Sequence, residues 1–173
     1  LESYTPDRPL PKVFRLTKKG KLISGIFEGA TINTPSLLCT EDYIQALKWA
    51  KSLGGWHALQ DRSEKSLSIL EAWVQRTDWV DFLCADPAVR SNTGVTFKVT
   101  DPRVATLDTD AQAAFMKKMT GLLEAEGVAF DANGYRDAPP GLRIWCGATV
   151  EPEDVLKLTP WLDWAFAETV ATL

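Results

Sequence analysis

From residue 40 onward, apolar positions recur with two different periods, and each change of period marks a change of element. Tyr43, Leu47 and Ala50 fall on one helical face. Thr40 can cap that helix, with Glu41 and Asp42 in its first turn, and Gly54-Gly55 ends it. A second helix is predicted over 56–76, with Leu59, Ser63, Leu67, Leu70, Trp73 and Val74 along its inward stripe. The period then shortens. Residues 79–83 make a short strand, and Val95, Phe97 and Val99 alternate with Thr96 and Lys98 as a half-buried strand does. Asp108 is placed to cap a helix reaching about residue 126, with Ala111, Phe115, Met119, Leu122 and Leu123 facing in. Brief strands are predicted over 128–130 and 142–145, the second after the Pro139-Pro140-Gly141 turn. Pro152 opens a last helix whose stripe is Val155, Leu158, Leu162, Phe166 and Val170. Pro160 is expected either to kink that helix or to restart it with Thr159 as cap.

Residues 1–36 carry no such pattern. Pro6, Pro9 and Pro11 stiffen the opening, Lys12, Arg15, Lys18, Lys19 and Lys21 cluster around Gly20, and a short apolar stretch follows between Leu22 and Phe27. This reads as an extended arm and interface loop (1–36) ahead of a compact domain (37–173). The order is arm, two helices, two strands, helix, two strands, helix. That is an α+β class: a small, mostly antiparallel sheet with helices packed on one face.

Composition narrows the function classes. Hydrophobic residues are 45% and charged residues 24% of the 173, ordinary for a globular chain. The net charge of −4 argues against a nucleic-acid partner, which calls for a basic face. No apolar run approaches the ~20 residues needed to span a bilayer, so no membrane role is expected. No signal peptide is visible, and the chain starts with Leu rather than Met, as one beginning inside a longer protein would. Cys39, Cys84 and Cys146 are odd in number and far apart, which fits reduced thiols in a cytoplasmic protein. With His57 as the single histidine, neither a zinc site nor a serine–histidine triad is expected, and no metal is assigned.

Three segments could carry chemistry. Ile32-Asn33-Thr34-Pro35-Ser36 groups an amide and two hydroxyls ahead of a helix, either a neutral cradle for a phosphate or a polar turn into a helix cap. In Gly134-Tyr135-Arg136-Asp137 through Gly141-Leu142-Arg143-Ile144-Trp145, Arg143 enters an otherwise apolar strand. A charge there is costly unless it is paired or meets an anion, and a guanidinium fork matches a carboxylate. The alternative is a structural ion pair with Asp137 or Asp101. The basic cluster at residues 12–21 is either a solvated face or an attractor of a doubly charged phosphate substrate. Trp145, Trp161 and Trp164 are expected in the core.

Taken in order, several motifs resemble phosphoserine aminotransferase. They are Phe14-Arg15-Leu16-Thr17-Lys18, Gly25-Ile26-Phe27-Glu28-Gly29, Thr31-Ile32-Asn33-Thr34-Pro35-Ser36, Arg90-Ser91-Asn92-Thr93, Tyr135-Arg136-Asp137-Ala138-Pro139, Gly141-Leu142-Arg143-Ile144-Trp145 and the closing Trp161-Leu162-Asp163-Trp164-Ala165-Phe166-Ala167-Glu168. The resemblance covers essentially the whole chain. It implies a class V, fold-type-I transaminase that depends on pyridoxal 5'-phosphate (PLP) and works as a homodimer. Such an enzyme moves an amino group between glutamate and 3-phosphohydroxypyruvate in serine biosynthesis.

By the same resemblance, Asn33 and Thr34 match a pair that reaches the PLP phosphate of the neighbouring subunit. Arg143 matches the arginine that grips the substrate α-carboxylate, with Arg136 and Tyr135 beside it. Tyr135 stands where a better-known branch has histidine. The family's Schiff-base lysine, the partner of the pyridine nitrogen, the stacking aromatic and the phosphate-binding arginines match nothing in this chain. The expectation is a C-terminal fragment: the small domain with the arm that leads into it, with no catalytic residue of its own, inactive alone and without bound PLP. The alternatives are another class V PLP aminotransferase, or a non-catalytic α+β interaction module.

Overall fold

The computed structural model describes residues 11–173, so Pro6, Pro9 and the start of the expected arm lie outside the described residues. The chain divides into two compact units, with the division between Trp49 and Ala50.

In the first unit, the basic segment is not wholly irregular. β1 (Thr17–Lys18) and β2 (Lys21–Leu22) form a minimal antiparallel hairpin, Thr17 opposite Leu22 and Lys18 opposite Lys21. Both turn residues, Lys19 and Gly20, have positive φ (54° and 73°), the backbone twist that two-residue hairpins favour. Strand propensity over two residues is too weak to have shown this in sequence. A 3-10 turn, Ser24–Glu28, follows, and then α1 (Leu37–Ser52), whose last three residues fall in the second unit. This helix begins three residues before the expected cap. Ser36 does the capping: its hydroxyl accepts from the Cys39 N–H at 3.4 Å, and Thr40, now inside the helix, donates its hydroxyl to the Ser36 carbonyl at 2.9 Å. None of the residues of α1 is buried, although Leu37, Leu38, Tyr43, Leu47 and Trp49 lie on it.

The second unit holds α2 (Trp56–Gln75), β3 (Val80–Phe82), β4 (Gly94–Val99), α3 (Pro102–Ala105), α4 (Thr109–Ala125), β5 (Leu142–Trp145) and α5 (Pro152–Val170). The sheet is antiparallel in the order β3-β4-β5, with β4 central. The registers place Phe82 opposite Phe97, and Phe97 opposite Leu142. One face carries Val80, Phe82, Val95, Phe97, Leu142 and Ile144, all buried in a single core with side chains of α2, α4 and α5. The other carries Asp81, Thr96, Lys98, Arg143 and Trp145, none of them buried, with Asp81 and Lys98 paired across the strands at 3.7 Å. Helices on one face only is the expected α+β layering.

The expected strand over 128–130 is absent. Those residues close the C-terminal end of α4, where the Val128 N–H bonds the Leu123 carbonyl at 2.9 Å, and Phe130 is exposed. A β-rich triplet was outcompeted by the unsatisfied carbonyls of a helix end. Pro160 does not interrupt α5. It cannot donate to the Leu156 carbonyl, but the Thr159 hydroxyl does so at 3.1 Å.

Aromatic rings tie the layers together. Trp79 stacks on Phe166 at 4.2 Å between centroids, with the planes 4° apart. Trp73 meets both Trp79 and Phe97 edge-on at 5.6 Å, and Phe115 meets Phe166 at 5.9 Å. The indole N–H groups of Trp73 and Trp79 both donate to Oδ1 of Asp163, at 3.1 and 3.0 Å. That carboxylate satisfies two donors that would otherwise be buried without partners.

Two predictions follow from this packing. Asp163→Ala should lower stability to urea by about 2–3 kcal/mol, because it orphans both indoles, whereas Asp163→Asn keeps an acceptor and should lose under about 1 kcal/mol. The unburied apolar side chains of α1 should drive self-association, so light scattering should show oligomers that grow with concentration; a clean monomer at high concentration would contradict this.

Candidate functional site

β5 is an edge strand, and the segment just after α4 returns alongside it. The Arg143 N–H donates to the Ala132 carbonyl at 2.9 Å, and Asn133 forms a bridge with Leu142. Gly141 makes the entry to β5 possible: a Cβ there would sit 2.0 Å from the Phe97 carbonyl oxygen. Alternation then sends Leu142 and Ile144 into the core and turns Arg143 and Trp145 outward.

The result is an open cleft of about 450 Å³ whose lining includes Phe130, Asp131, Arg143, Trp145 and Leu158. Arg143 is its cation, with 31% of its side chain exposed. One terminal nitrogen, Nη2, contacts both the Asp131 carboxylate and, weakly at 3.5 Å, the Asp131 carbonyl. Nε is buried and has no hydrogen-bond partner. The Tyr135 ring lies 5.8 Å from the guanidinium carbon. The ion-pair partners expected from sequence are engaged elsewhere. Asp137 sits 3.8 Å from Arg136, and Asp101 is gripped by Arg103, whose side-chain hydrogen bonds hold that carboxyl below its ordinary range. Asp131 was not legible as the partner, because its backbone lies in the left-handed region (φ 54°) at a bend that the sequence read as a strand end.

Trp145 corrects the expectation of a core tryptophan. It is 61% exposed and lies on the open side of the sheet. Its indole rests on Gly147, where a Cβ would come within 2.6 Å of the ring. Trp161 is likewise partly exposed, against Trp164 at 5.4 Å. Cys146, between Trp145 and Gly147, is fully buried, and burial pushes its thiol up to about 12, so it is no nucleophile. Arg136 is exposed on the neighbouring loop, lining a separate small hollow with Tyr135 and Pro139.

In the first unit, Asn33 and Thr34 are exposed, four and three residues ahead of α1. Arg15, Lys18, Lys19 and Lys21 are exposed around the hairpin. Arg90, from another quoted motif, serves the fold. It lies 3.7 Å from the Phe82 ring centroid and bonds Glu71 and the Cys84 carbonyl. Among the described residues, no cluster of histidine, cysteine or carboxylate side chains could hold a metal ion, and no helix is long and apolar enough to cross a membrane.

The fold is thus a three-stranded antiparallel sheet with helices on one face and Arg143 on the other. Solved structures share it. Phosphoserine aminotransferase from Bacillus circulans subsp. alkalophilus matches 79% of this chain, and 34% of its own, with a TM-score of 0.65 at 21% identity. At that identity the likeness shows the fold alone. Sequence goes further. The chain is 50% identical over 166 residues to phosphoserine aminotransferase of Methanosarcina mazei, and 51% over 166 residues to that of Methanosarcina barkeri. A phosphoserine aminotransferase of Rhodococcus jostii is 30% identical over 141 residues. No family model matches the chain. Over 96% of its length, then, the chain is a relative of the phosphoserine aminotransferases and matches their C-terminal part. It spans 42% of the length of the two Methanosarcina relatives.

Gly147→Ala should push the indole off its seat without touching the core. Tryptophan fluorescence should shift and acrylamide quenching should rise, while the urea midpoint changes little.

Proposed function

We propose that this chain supplies the carboxylate-binding end of a phosphoserine transaminase, the enzyme that exchanges an amino group between glutamate and 3-phosphohydroxypyruvate in serine biosynthesis. The observation that carries the reading is Arg143. It stands on a rigid strand, opens to solvent, keeps a buried Nε without a partner, and is held by one exposed carboxylate. A guanidinium arranged so can accept the α-carboxylate that both substrates share. Half identity to enzymes named for this reaction supports the choice of substrate.

The remaining assignments follow from the same kinship. Asn33 and Thr34 offer an amide and a hydroxyl ahead of a helix N-terminus, a donor set that fits the PLP phosphate of the neighbouring subunit in a cytoplasmic homodimer. Arg136, exposed on the loop ahead of β5, flanks the substrate beside Arg143. PLP, when bound, supplies the electron sink for the amino transfer. This chain's own part is to bind and orient. Arg143 fixes one end of the substrate, so that the bond to be broken is presented in one pose. The lysine and ring-binding groups belong to the rest of the enzyme, so the chain alone is inactive.

The test is complementation. This chain is mixed with a separately produced N-terminal portion of a full-length relative and PLP, and glutamate-dependent amination of 3-phosphohydroxypyruvate is followed. Activity should appear on mixing. Arg143→Ala should then cost about 2–3 kcal/mol, roughly 30- to 150-fold in kcat/KM, as loss of a charge-assisted contact does. Silence from halves that associate correctly would sink the assignment.

A further inference from the structure

Arg143 already has a carboxylate, and the way it is held makes that carboxylate replaceable. The contact uses Nη2, leaving Nε without a partner, so it is not the two-bond fork of a settled arginine–carboxylate pair. Asp131 is 84% exposed on its side chain and can turn into water at little cost. The backbone that follows it, by contrast, is pinned to β5. The Arg143 N–H holds the Ala132 carbonyl, and Asn133 bridges Leu142. A side-chain rotation of Asp131 separates the paired state from one in which the guanidinium keeps only the weak 3.5 Å contact to the Asp131 carbonyl. Asp131 sits at φ 54°, where aspartate and asparagine are tolerated and most other residues are not.

We infer that Asp131 is a built-in competitor for the substrate carboxylate: it occupies Arg143 in the empty site, keeps the guanidinium aimed into the cleft, and is exchanged for the free carboxylate on binding. The inference rests on the reading of Arg143 as the carboxylate-binding residue. Exchange leaves the total of ion pairs unchanged, so affinity at this subsite is lower than at a bare guanidinium. A ligand that also engages Nε gains a second bond that Asp131 does not make. Asp131 acts through Arg143 and is a positioning residue.

The test uses the 173-residue chain and monosodium glutamate as probe, with sodium chloride at matched concentration as control. The Arg143 Nε–H resonance, assigned with Arg143→Lys, is followed by NMR in three proteins. Asp131→Asn keeps the shape and tolerates the left-handed backbone, so β5 amide shifts should stay in place. Its glutamate affinity should rise roughly three- to fivefold, the range that an exposed ion pair supports. Asp131→Glu retains a competing carboxylate but strains the left-handed backbone; with β5 amide shifts in place, its affinity should stay near that of the parent chain. Unchanged or weaker binding in Asp131→Asn overturns the inference, because Asp131 is then a fixed support. Absence of any saturable glutamate shift at Nε–H in all three proteins overturns the carboxylate-binding reading itself, and the inference with it.

Discussion

The register of β5 on β4 decides which way Arg143 points, because side chains on a strand alternate and a slip of one residue exchanges the two faces. Leu142 and Ile144 are large and apolar, and burying each is worth about 1.5–3 kcal/mol. The same slip would bury a guanidinium and expose both apolar chains. Phe97 fixes the pairing from the other side, since it lies opposite Leu142 and packs edge-on against Trp73. The Gly141 contact with the Phe97 carbonyl starts the register at a place where no side chain fits. The arginine is therefore presented to solvent by its hydrophobic neighbours, and the site inherits its precision from the core.

That core depends in turn on helices that sequence rules would treat with suspicion. α5 contains a proline well inside its span and a carboxylate near the middle of its inward half. Both are compensated locally. Thr159 donates to the carbonyl that Pro160 leaves empty, and Asp163 receives two indole donors from Trp73 and Trp79. Buried polar groups that are fully engaged specify one packing among several that hydrophobicity alone would allow. Here they fix where α5 sits against α2 and against the start of β3. Through the Trp79–Phe166 stack, they also fix how α4 reaches the same layer.

Much of this was legible where a single period dominates. The cap at Asp108, the first-turn proline Pro152, the stripe of α2 and the alternation of β4 are local signals, and the structure keeps them. What sequence missed lay where two local preferences compete. Residues 128–130 favour a strand by composition but serve the end of α4, and Thr40 has the look of a cap, yet Ser36 takes that place. Trp145 read as core by its size, although its position on β5, two residues from Arg143, assigns it to the open face. Arg143 was legible as a charge in an apolar strand. Asp131 was not, because its nearness to Arg143 is created by a left-handed bend and a returning segment, neither of which leaves a periodic trace.

The pairing of Arg143 with Asp131 also bears on why a charged side chain is tolerated at this edge. An arginine with a buried nitrogen and no partner for it carries a desolvation cost of about 1–3 kcal/mol. A structural arginine avoids that cost by filling its fork, as Arg103 does with both oxygens of Asp101. Arg90 does it with Glu71 and the Cys84 carbonyl. Arg143 alone of these three keeps a buried, unpartnered Nε. The two filled forks belong to the scaffold. The unfilled one faces a cleft walled by Trp145 and Phe130, where a bound carboxylate would complete what the protein leaves undone.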